Sequence, residues 1–188
     1  MINLTQFMRK PNTGNYSVER LYNDVRSNLP DDIKINTKTN KYFSKGIFKR
    51  LLDSIIAIKH QKDINHITGD VHYLSFFLER KKTILTILDC VGLERSKGVK
   101  FWLLWFFWYW LPEKRCAKII VISEATKNQV IQYLGCDSKK IKVIHCNVSD
   151  EFFYHPKDFN KEKPRILHIG TGENKNLDRH IEAISSMS

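Results

Sequence analysis

Candidate ligand-binding residues follow the apolar runs of this chain. These positions are Gly14, Gly69-Asp70, Asp89 and Ser123. The apolar runs alternate with helical patterns, which is typical of a parallel sheet with right-handed crossovers. Ligands of such sheets bind at the carboxyl ends of the strands, near the point where the strand order reverses. The side chains and glycine backbone at these positions therefore predict a binding cleft.

The elements that would position these residues can be read from hydrophobic periodicity. The predicted strands are Ile2–Phe7, Ile33–Ile35, Ile64–Ile67, Thr83–Leu88, Lys118–Ile122 and Ile141–Cys146. Helical spacing of apolar residues predicts helices from Val18 to Leu29 and from Ile47 to Ile56, and a short one within 71–78. Ser123 is predicted to cap a further helix that ends at Gly135. The fold class is α/β, a Rossmann-like parallel sheet flanked by helices.

The last segment predicts the start of a second domain. Arg165–Ile169 reads as a buried strand, and a glycine turn and an amphipathic helix follow it. A lone βα unit cannot bury both faces of its strand. We therefore expect a first domain over 1–147, a linker over 148–164, and over 165–188 the first βα unit of a truncated domain. The alternative is a tail that packs back on the first domain.

The charge balance is strongly basic. The chain has 188 residues and a formal net charge of +11, and its basic residues are dispersed along its length. Such a surface favours an anionic membrane, an anionic small substrate or nucleic acid, or it only keeps the protein soluble. Nucleic acid is the weakest of these partners, because the aromatic residues lie in one apolar run and are not interleaved with basic ones. We predict that no nucleic acid binds.

Cysteine and histidine spacing predicts no metal site. The four cysteines form no C-x-x-C pair, and the seven histidines form no ligand pattern. Met1–Arg9 has no basic start followed by an apolar stretch, as a signal peptide would. Buried free thiols in a reducing cytoplasm are the expectation.

An aromatic segment, Phe101–Leu111, has no charged residue. As a helix it would rise about 16 Å, roughly half the hydrocarbon core of a bilayer, so it is too short to span a membrane. A helix that is apolar all round must be covered by the protein core, by a partner, or by the interfacial zone of a membrane. The flanking Lys97, Lys100 and Lys114 could meet anionic headgroups. All three interpretations remain possible, and the third predicts peripheral contact of this segment with the inner face of the membrane.

A family resemblance rests on an ordered set of segments. These are Ile64–Asp70, Thr83–Asp89, Ala117–Lys127, Lys140–Ile144 with Asn147, and Arg165–Gly170 with Lys175-Asn176. The set resembles the N-terminal domain of retaining glycosyltransferases of the GT-B type, the group that includes glycogen synthase-like and mannosyltransferase-like enzymes. The resemblance implies two Rossmann-like domains facing a cleft, with acceptor on the first and nucleotide-sugar donor on the second. It also implies catalysis without metal or other cofactor, which agrees with the absence of a D-x-D motif.

The resemblance implies a donor-binding set. Lys175 matches the basic residue that stabilises the leaving diphosphate, and Gly170 and Gly172 would let the backbone approach the phosphate. Gly14 matches the loop after the first strand, although this loop carries one glycine where family members often carry two. Lys175 as a solvated lysine and Gly14 as a simple turn are the structural alternatives.

On the acceptor side the resemblance points to strand ends. The family commonly has a His-Asp pair where this chain has Leu88-Asp89, and leucine cannot hydrogen-bond to the transferred sugar. The catalytic residue is therefore unknown. Asp89 is either a substrate contact or a loop cap.

The other cleft-lining candidates each have a structural alternative. Glu124 either lines the cleft or only complements the helix dipole. His66 and Asp70 are candidates for the acceptor pocket, although a lone histidine of this kind is more often structural.

The leading hypothesis is the acceptor-side part of a glycosyltransferase. It would move a hexose from a nucleotide-diphosphate sugar to a hydroxyl of a lipid-linked or polysaccharide acceptor, in cell-surface polysaccharide or glycolipid synthesis. We expect the truncated chain alone to have little or no transferase activity. The alternative is an inactive remnant that acts as a membrane-associated or interaction module, which Leu88 favours. A sugar-nucleotide epimerase is a third hypothesis.

Overall fold

A sheet of six parallel strands organises residues 1–149. The computed structural model describes residues 1–11, 17–148, 152–170 and 175–186. The strands are β1 (Ile2–Met8), β2 (Ile33–Thr39), β3 (Ile64–Thr68), β4 (Thr83–Ile87), β5 (Lys118–Val121) and β6 (Ile141–Val143). All six coincide with apolar runs read from the sequence, which confirms the predicted fold class.

The helices of this unit connect consecutive strands. They are α1 (Ser17–Ser27), α2 (Ile47–Ile58), α3 (Val91–Glu94), α4 (Gly98–Leu104), α5 (Leu111–Lys114) and α6 (Glu124–Leu134). A short 3-10 helix, His72–Phe76, replaces a crossover helix between β3 and β4, and a π-helical turn, Trp105–Trp110, joins α4 to α5.

The strand order is β2-β1-β3-β4-β5-β6. The chain leaves β1 for one edge of the sheet and then crosses back over β1 to reach β3. The strand order therefore reverses between β1 and β3, which are paired in register from Leu4 opposite Ile64 to Phe7 opposite Ile67. The crevice above the carboxyl ends of these two strands is the expected ligand position in such a sheet.

Side chains alternate across the strands and form two cores. Phe7 joins the large core cluster with Ile67, Leu85 and Ile119, and this cluster lies under α2, α6 and the aromatic segment. Its neighbour Met8 points the other way and packs with Val18 and Tyr22 of α1 and with Leu88. Helices thus cover both faces of the sheet.

Helix α6 begins and ends as its sequence predicts. The Oγ of Ser123 accepts a hydrogen bond from the backbone N–H of Thr126 at 3.1 Å. Gly135 adopts a left-handed conformation, φ +59°, and its N–H donates to the carbonyl of Ile131 at 2.8 Å. Capping at both ends fixes the register of the helix against β5 and β6.

The second unit spans residues 150–188. Its helix α7 (Leu177–Ser185) agrees with the predicted amphipathic helix. The predicted strand Arg165–Ile169 is wrong: the described residues 152–170 contain no strand. A strand exists by pairing its backbone groups with a neighbour, and Leu167 and Ile169 remain 85% and 77% exposed. The predicted domain limits themselves stay predictions.

Candidate functional site

A cavity of about 230 Å³ opens where β1, β3 and β4 end. Its lining is mostly polar and aromatic. The lining residues are Arg9, Ser17, Val18, Gly69, Asp70, His72, Leu88, Asp89, Trp108 and Tyr109. The cavity therefore lies at the reversal of strand order, where the topology predicts a ligand.

Arg9 connects the ends of β1 and β3. Its Nη1 donates to Oδ2 of Asp70 at 2.6 Å, and its Nε donates to Oε1 of Glu19 on α1 at 2.9 Å. The hydrogen bond to Glu19 is the main cause that raises the pKa of Arg9, and the same bond lowers the pKa of Glu19. Sequence reasoning missed Arg9; its position directly after the first strand was the available signal.

Gly69 and Asp70 form the turn that brings Asp70 to the cavity. Both have left-handed backbone, with φ +68° and +50°. Glycine takes this conformation freely and aspartate tolerates it better than most residues. A Cβ on Gly69 would lie 3.0 Å from Cδ1 of Leu88, so the turn also lets Leu88 approach closely.

Asp89 lines the cavity and also supports its wall. Its Oδ1 accepts a hydrogen bond from the backbone N–H of Val91 at 3.1 Å, at the start of α3. Its backbone carbonyl accepts a bond from the hydroxyl of Tyr109 at 3.3 Å. The capping interpretation of Asp89 is therefore visible in the structure, while its contact with a substrate stays a prediction.

His72 forms the buried base of the aromatic wall. It is 4% exposed, and its Nδ1 donates to the carbonyl of Trp108 at 2.7 Å. Its ring meets Tyr109 edge-on, with ring centres 5.6 Å apart. Burial lowers the pKa of His72 and raises that of Tyr109, so both side chains are neutral near pH 7. Neither residue was selected from the sequence.

Comparison with known proteins identifies the family. The sequence pattern of Glycosyltransferase Family 4 matches residues 30–152, which is more than half of the chain. The chain belongs to Glycosyltransferase Family 4. The matched range lies almost entirely in the first unit and includes the Gly69-Asp70 turn and Asp89 of the cavity.

A solved structure shows the same fold. The crystal structure of Anabaena Alr3699/HepE in complex with UDP and glucose matches with a TM-score of 0.54 at 15% sequence identity. The match covers 79% of this family 4 chain and 45% of HepE, so the chain spans about half the length of that protein. No curated protein sequence matches the chain. The resemblance to a GT-B type glycosyltransferase is thereby confirmed at the level of fold and family.

Two predicted cleft residues of this family 4 chain lie outside the cavity lining. His66 is on β3, where its Nε2 lies 2.8 Å from Oγ1 of Thr86, and its ring meets Tyr22 edge-on. Glu124 is exposed in the first turn of α6 and pairs with Lys127 at 3.2 Å. Both positions have a structural explanation, and their contact with a ligand stays a prediction.

The predicted donor-binding residues belong to the second unit, except for Gly14. Gly170 has φ +94°, and a Cβ on it would lie 3.1 Å from Cγ of Lys175. The missing side chain of Gly170 therefore makes room for the stem of Lys175. Gly14 and Gly172 fall outside the described residues. Diphosphate binding by this set stays a prediction.

The aromatic segment has a buried and an exposed side. Tyr109 is 5% exposed, and the indole Nε1 of Trp105 donates to the carbonyl of Tyr133 at 2.7 Å. Trp102 and Phe107 remain 63% and 49% exposed. Burial in the core thus accounts for one side only. In the ranges that the structure describes, no helix combines the length and the hydropathy that a membrane span requires.

The thiols are free and the potential metal ligands form no site in the part of the chain that the structure describes. All four cysteines are free; Cys90, Cys116 and Cys136 are buried as expected, whereas Cys146 is exposed. No three histidine, cysteine or acidic side chains of the described residues come together as a metal site. Catalysis without a metal stays a prediction.

Proposed function

We propose that this chain forms the acceptor-side part of a glycosyltransferase. The reaction would be transfer of a hexose from a nucleotide-diphosphate sugar to a hydroxyl of a lipid-linked or polysaccharide acceptor, in the synthesis of cell-surface polysaccharide or glycolipid. Family membership and the UDP and glucose bound by HepE support a nucleotide sugar as donor. Retention of anomeric configuration, independence of metal and a cytoplasmic position at the inner membrane face belong to the same proposal.

The chemistry of the cavity carries the acceptor assignment. The lining holds two carboxyl groups, those of Asp70 and Asp89, and one guanidinium, that of Arg9, and His72 is neutral. Carboxylate oxygens accept hydrogen bonds from sugar hydroxyls. The same lining carries a formal excess of negative charge, which disfavours a diphosphate. The cavity thus suits an uncharged, hydroxyl-rich group.

The donor diphosphate requires a cation elsewhere. Lys175 is our candidate, because a positive charge at the leaving group stabilises the transition state of glycosyl transfer. Its stem is held beside Gly170, whose missing side chain leaves space for it. The acceptor cavity and this cation are thereby assigned to different units of the chain.

Ligand binding tests the acceptor assignment. Saturation-transfer NMR with residues 1–188 should detect neutral oligosaccharides, and Asp70→Asn should weaken this binding roughly tenfold, since a charged hydrogen-bond acceptor is lost. Asp31→Asn is the matched control, because Asp31 is exposed and outside the cavity lining. Equal affinity of both variants, or preferential binding of UDP in the cavity, would contradict the assignment.

A non-enzymatic interaction module is the second candidate. Leu88, which lines the cavity where family members commonly have a histidine, favours it. A leucine leaves a hydrogen bond to the transferred sugar unmade. An interaction module would leave the cavity without affinity for oligosaccharides, so the same NMR experiment separates the two candidates.

A further inference from the structure

Helix α2 buries its polar side and exposes its apolar side. Arg50, Asp53, Ser54 and Ala57 face the sheet. The outward side carries large apolar residues that are each at least 40% exposed. They are Ile47, Phe48, Leu51, Leu52, Ile55 and Ile58.

Specific hydrogen bonds hold the helix in this orientation. The carboxylate of Asp53 accepts bonds from the backbone N–H groups of Lys41 and Tyr42, at 3.1 and 3.4 Å. Nη2 of Arg50 donates to the carbonyl of Ser44 at 2.8 Å, and its guanidinium lies 4.8 Å from the centre of the Trp108 ring. A rotation that buried the apolar residues would break all of these contacts. The exposed stripe is therefore a stable property of this layer.

The exposed part of the aromatic segment lies in the same layer. Ala57 of α2 belongs to the large core cluster, and Phe101 and Leu104 of α4 pack against that cluster. Both helices thus cover one face of the sheet, and their exposed residues point away from it. On α4 and the π-helical turn these are Val99, Trp102, Leu103, Phe106 and Phe107.

Basic residues border the exposed apolar residues of α2 and those of α4 and the π-helical turn, which form two stripes. Lys45, Lys49 and Lys59 are exposed around α2, and Lys97 and Lys100 are exposed at the start of α4. An apolar face with tryptophan and phenylalanine, bordered by lysines, suits the interfacial zone of an anionic bilayer. A second copy would bring together two chains that each carry a formal net charge of +11 and therefore repel each other. Charge complementarity therefore selects the lipid surface.

We propose that the outward face of α2, together with the exposed residues of α4 and the π-helical turn, docks the first unit on an anionic membrane surface. Lipid contact covers the apolar side chains, and the lysines contact the headgroups. Membrane contact through the aromatic segment alone would leave the stripe of α2 in water. This proposal does not depend on sugar binding in the cavity.

Vesicle flotation tests the proposal with residues 1–188. The chain should float with vesicles of phosphatidylcholine and phosphatidylglycerol and much less with phosphatidylcholine alone. Phe48→Ser with Leu52→Ser should weaken binding roughly tenfold or more, since each side chain loses burial in lipid. Both positions are exposed, so the variant keeps its fold, which circular dichroism verifies. Val25→Ser with Ile144→Ser is the control, because both residues are exposed outside the two stripes.

Charge variants and tryptophan quenching give independent readouts. Lys45→Gln with Lys49→Gln should weaken binding to anionic vesicles and reduce its salt dependence, whereas Lys34→Gln with Lys142→Gln should have less effect. Lipids brominated near the headgroup should quench Trp102, and Trp102→Phe should remove most of that quenching. No flotation with anionic vesicles, or unchanged flotation of the Phe48 and Leu52 variant, would overturn the proposal. A wild-type dimer that dissociates in this variant would instead assign the face to a second copy and equally overturn it.

Discussion

Arg9 and Asp70 join the ends of two neighbouring strands across the reversal of strand order. Nη1 of Arg9 lies 2.6 Å from Oδ2 of Asp70, although 61 positions separate the two residues in the chain. Because Arg9 also binds Glu19, α1 is tied to the same point. The contact thus connects the wall of the cavity to the sheet and to the helix behind it.

Removing the guanidinium should loosen this connection. Arg9→Met is expected to lower the free energy of unfolding by about 1–2 kcal/mol, since Glu19 keeps its charge at a poorly solvated site without its partner. The lowered pKa of Glu19 stabilises the fold above the ordinary glutamate range, and this contribution is lost as the pH falls through the lowered value. Urea unfolding against pH measures both effects.

The exposed pair Lys82–Glu79 provides the control for Arg9. The side chains of this pair are 45% and 50% exposed. Lys82→Met should therefore leave stability unchanged. A loss in Arg9→Met no larger than in Lys82→Met would show that the connection does not stabilise the unit.

Gly69 should be less tolerant of alanine than Gly135. Both residues have left-handed backbone, so alanine costs about 1 kcal/mol at each from conformation alone. Only at Gly69 does the new Cβ meet a neighbour, Cδ1 of Leu88, whereas at Gly135 no atom lies within 4 Å. Gly69→Ala is therefore expected to cost about 1 kcal/mol more. Thermal unfolding of the two variants tests the difference, and equal losses would contradict the close approach of Leu88.

His66 should make stability depend on pH. Burial lowers its pKa from the ordinary 6.5 to about 4. Between these values the unfolded chain binds a proton that the folded chain does not, so the free energy of unfolding rises with pH. The contribution of His66 is fully present above about pH 6.5. His66→Gln should flatten this slope, and part of it should remain because burial also lowers the pKa of His72.

Two measurements check the assignment to His66. Unfolding free energies of His66→Gln and of the wild type at about pH 5 and about pH 7 give the slope. An NMR titration should show an imidazole that stays neutral until the pH approaches about 4. An unchanged slope in the variant would exclude His66 as its source.

One thiol should react faster than the other three. Cys146 is exposed, whereas burial raises the pKa values of Cys90 and Cys116 to about 12, so both stay protonated near neutral pH. A disulfide reagent that releases a coloured thiolate should therefore show one fast equivalent in the folded chain. Cys146→Ser should remove this phase and Cys136→Ser should leave it. Persistence of the fast phase in Cys146→Ser would contradict the burial of the other thiols.

Local signals predicted the sheet well. Every residue of Thr83–Leu88 is either β-branched or apolar, which is typical of a central strand. Ser123 and Gly135 specify their helix ends by short-range hydrogen bonds that depend on neighbouring residues. The end of each strand, and with it the position of Asp70 and Asp89, followed from these signals.

Other features depended on contacts between distant segments. Arg9 looked like an ordinary surface cation, because its partners are 10 and 61 positions away. The stripe of α2 predicted a helix but not which side would meet the sheet, since Asp53 and Arg50 fix that orientation through the loop over 41–44. Such orientation is a tertiary property that periodicity alone does not contain.

The π-helical turn at Trp105–Trp110 constrains insertions and deletions in this chain. An α-helix advances about 100° per residue, and a π-helical turn accommodates an additional residue without carrying that rotation into the following helix. Loss of one codon within 105–110 would restore ordinary helical winding and leave α5 in its present orientation, whereas gain of one codon would turn α5 by about that angle. Pro112 and Glu113, now buried, would then swing out of the interior. Natural insertions in this segment should therefore be rarer than single-residue deletions.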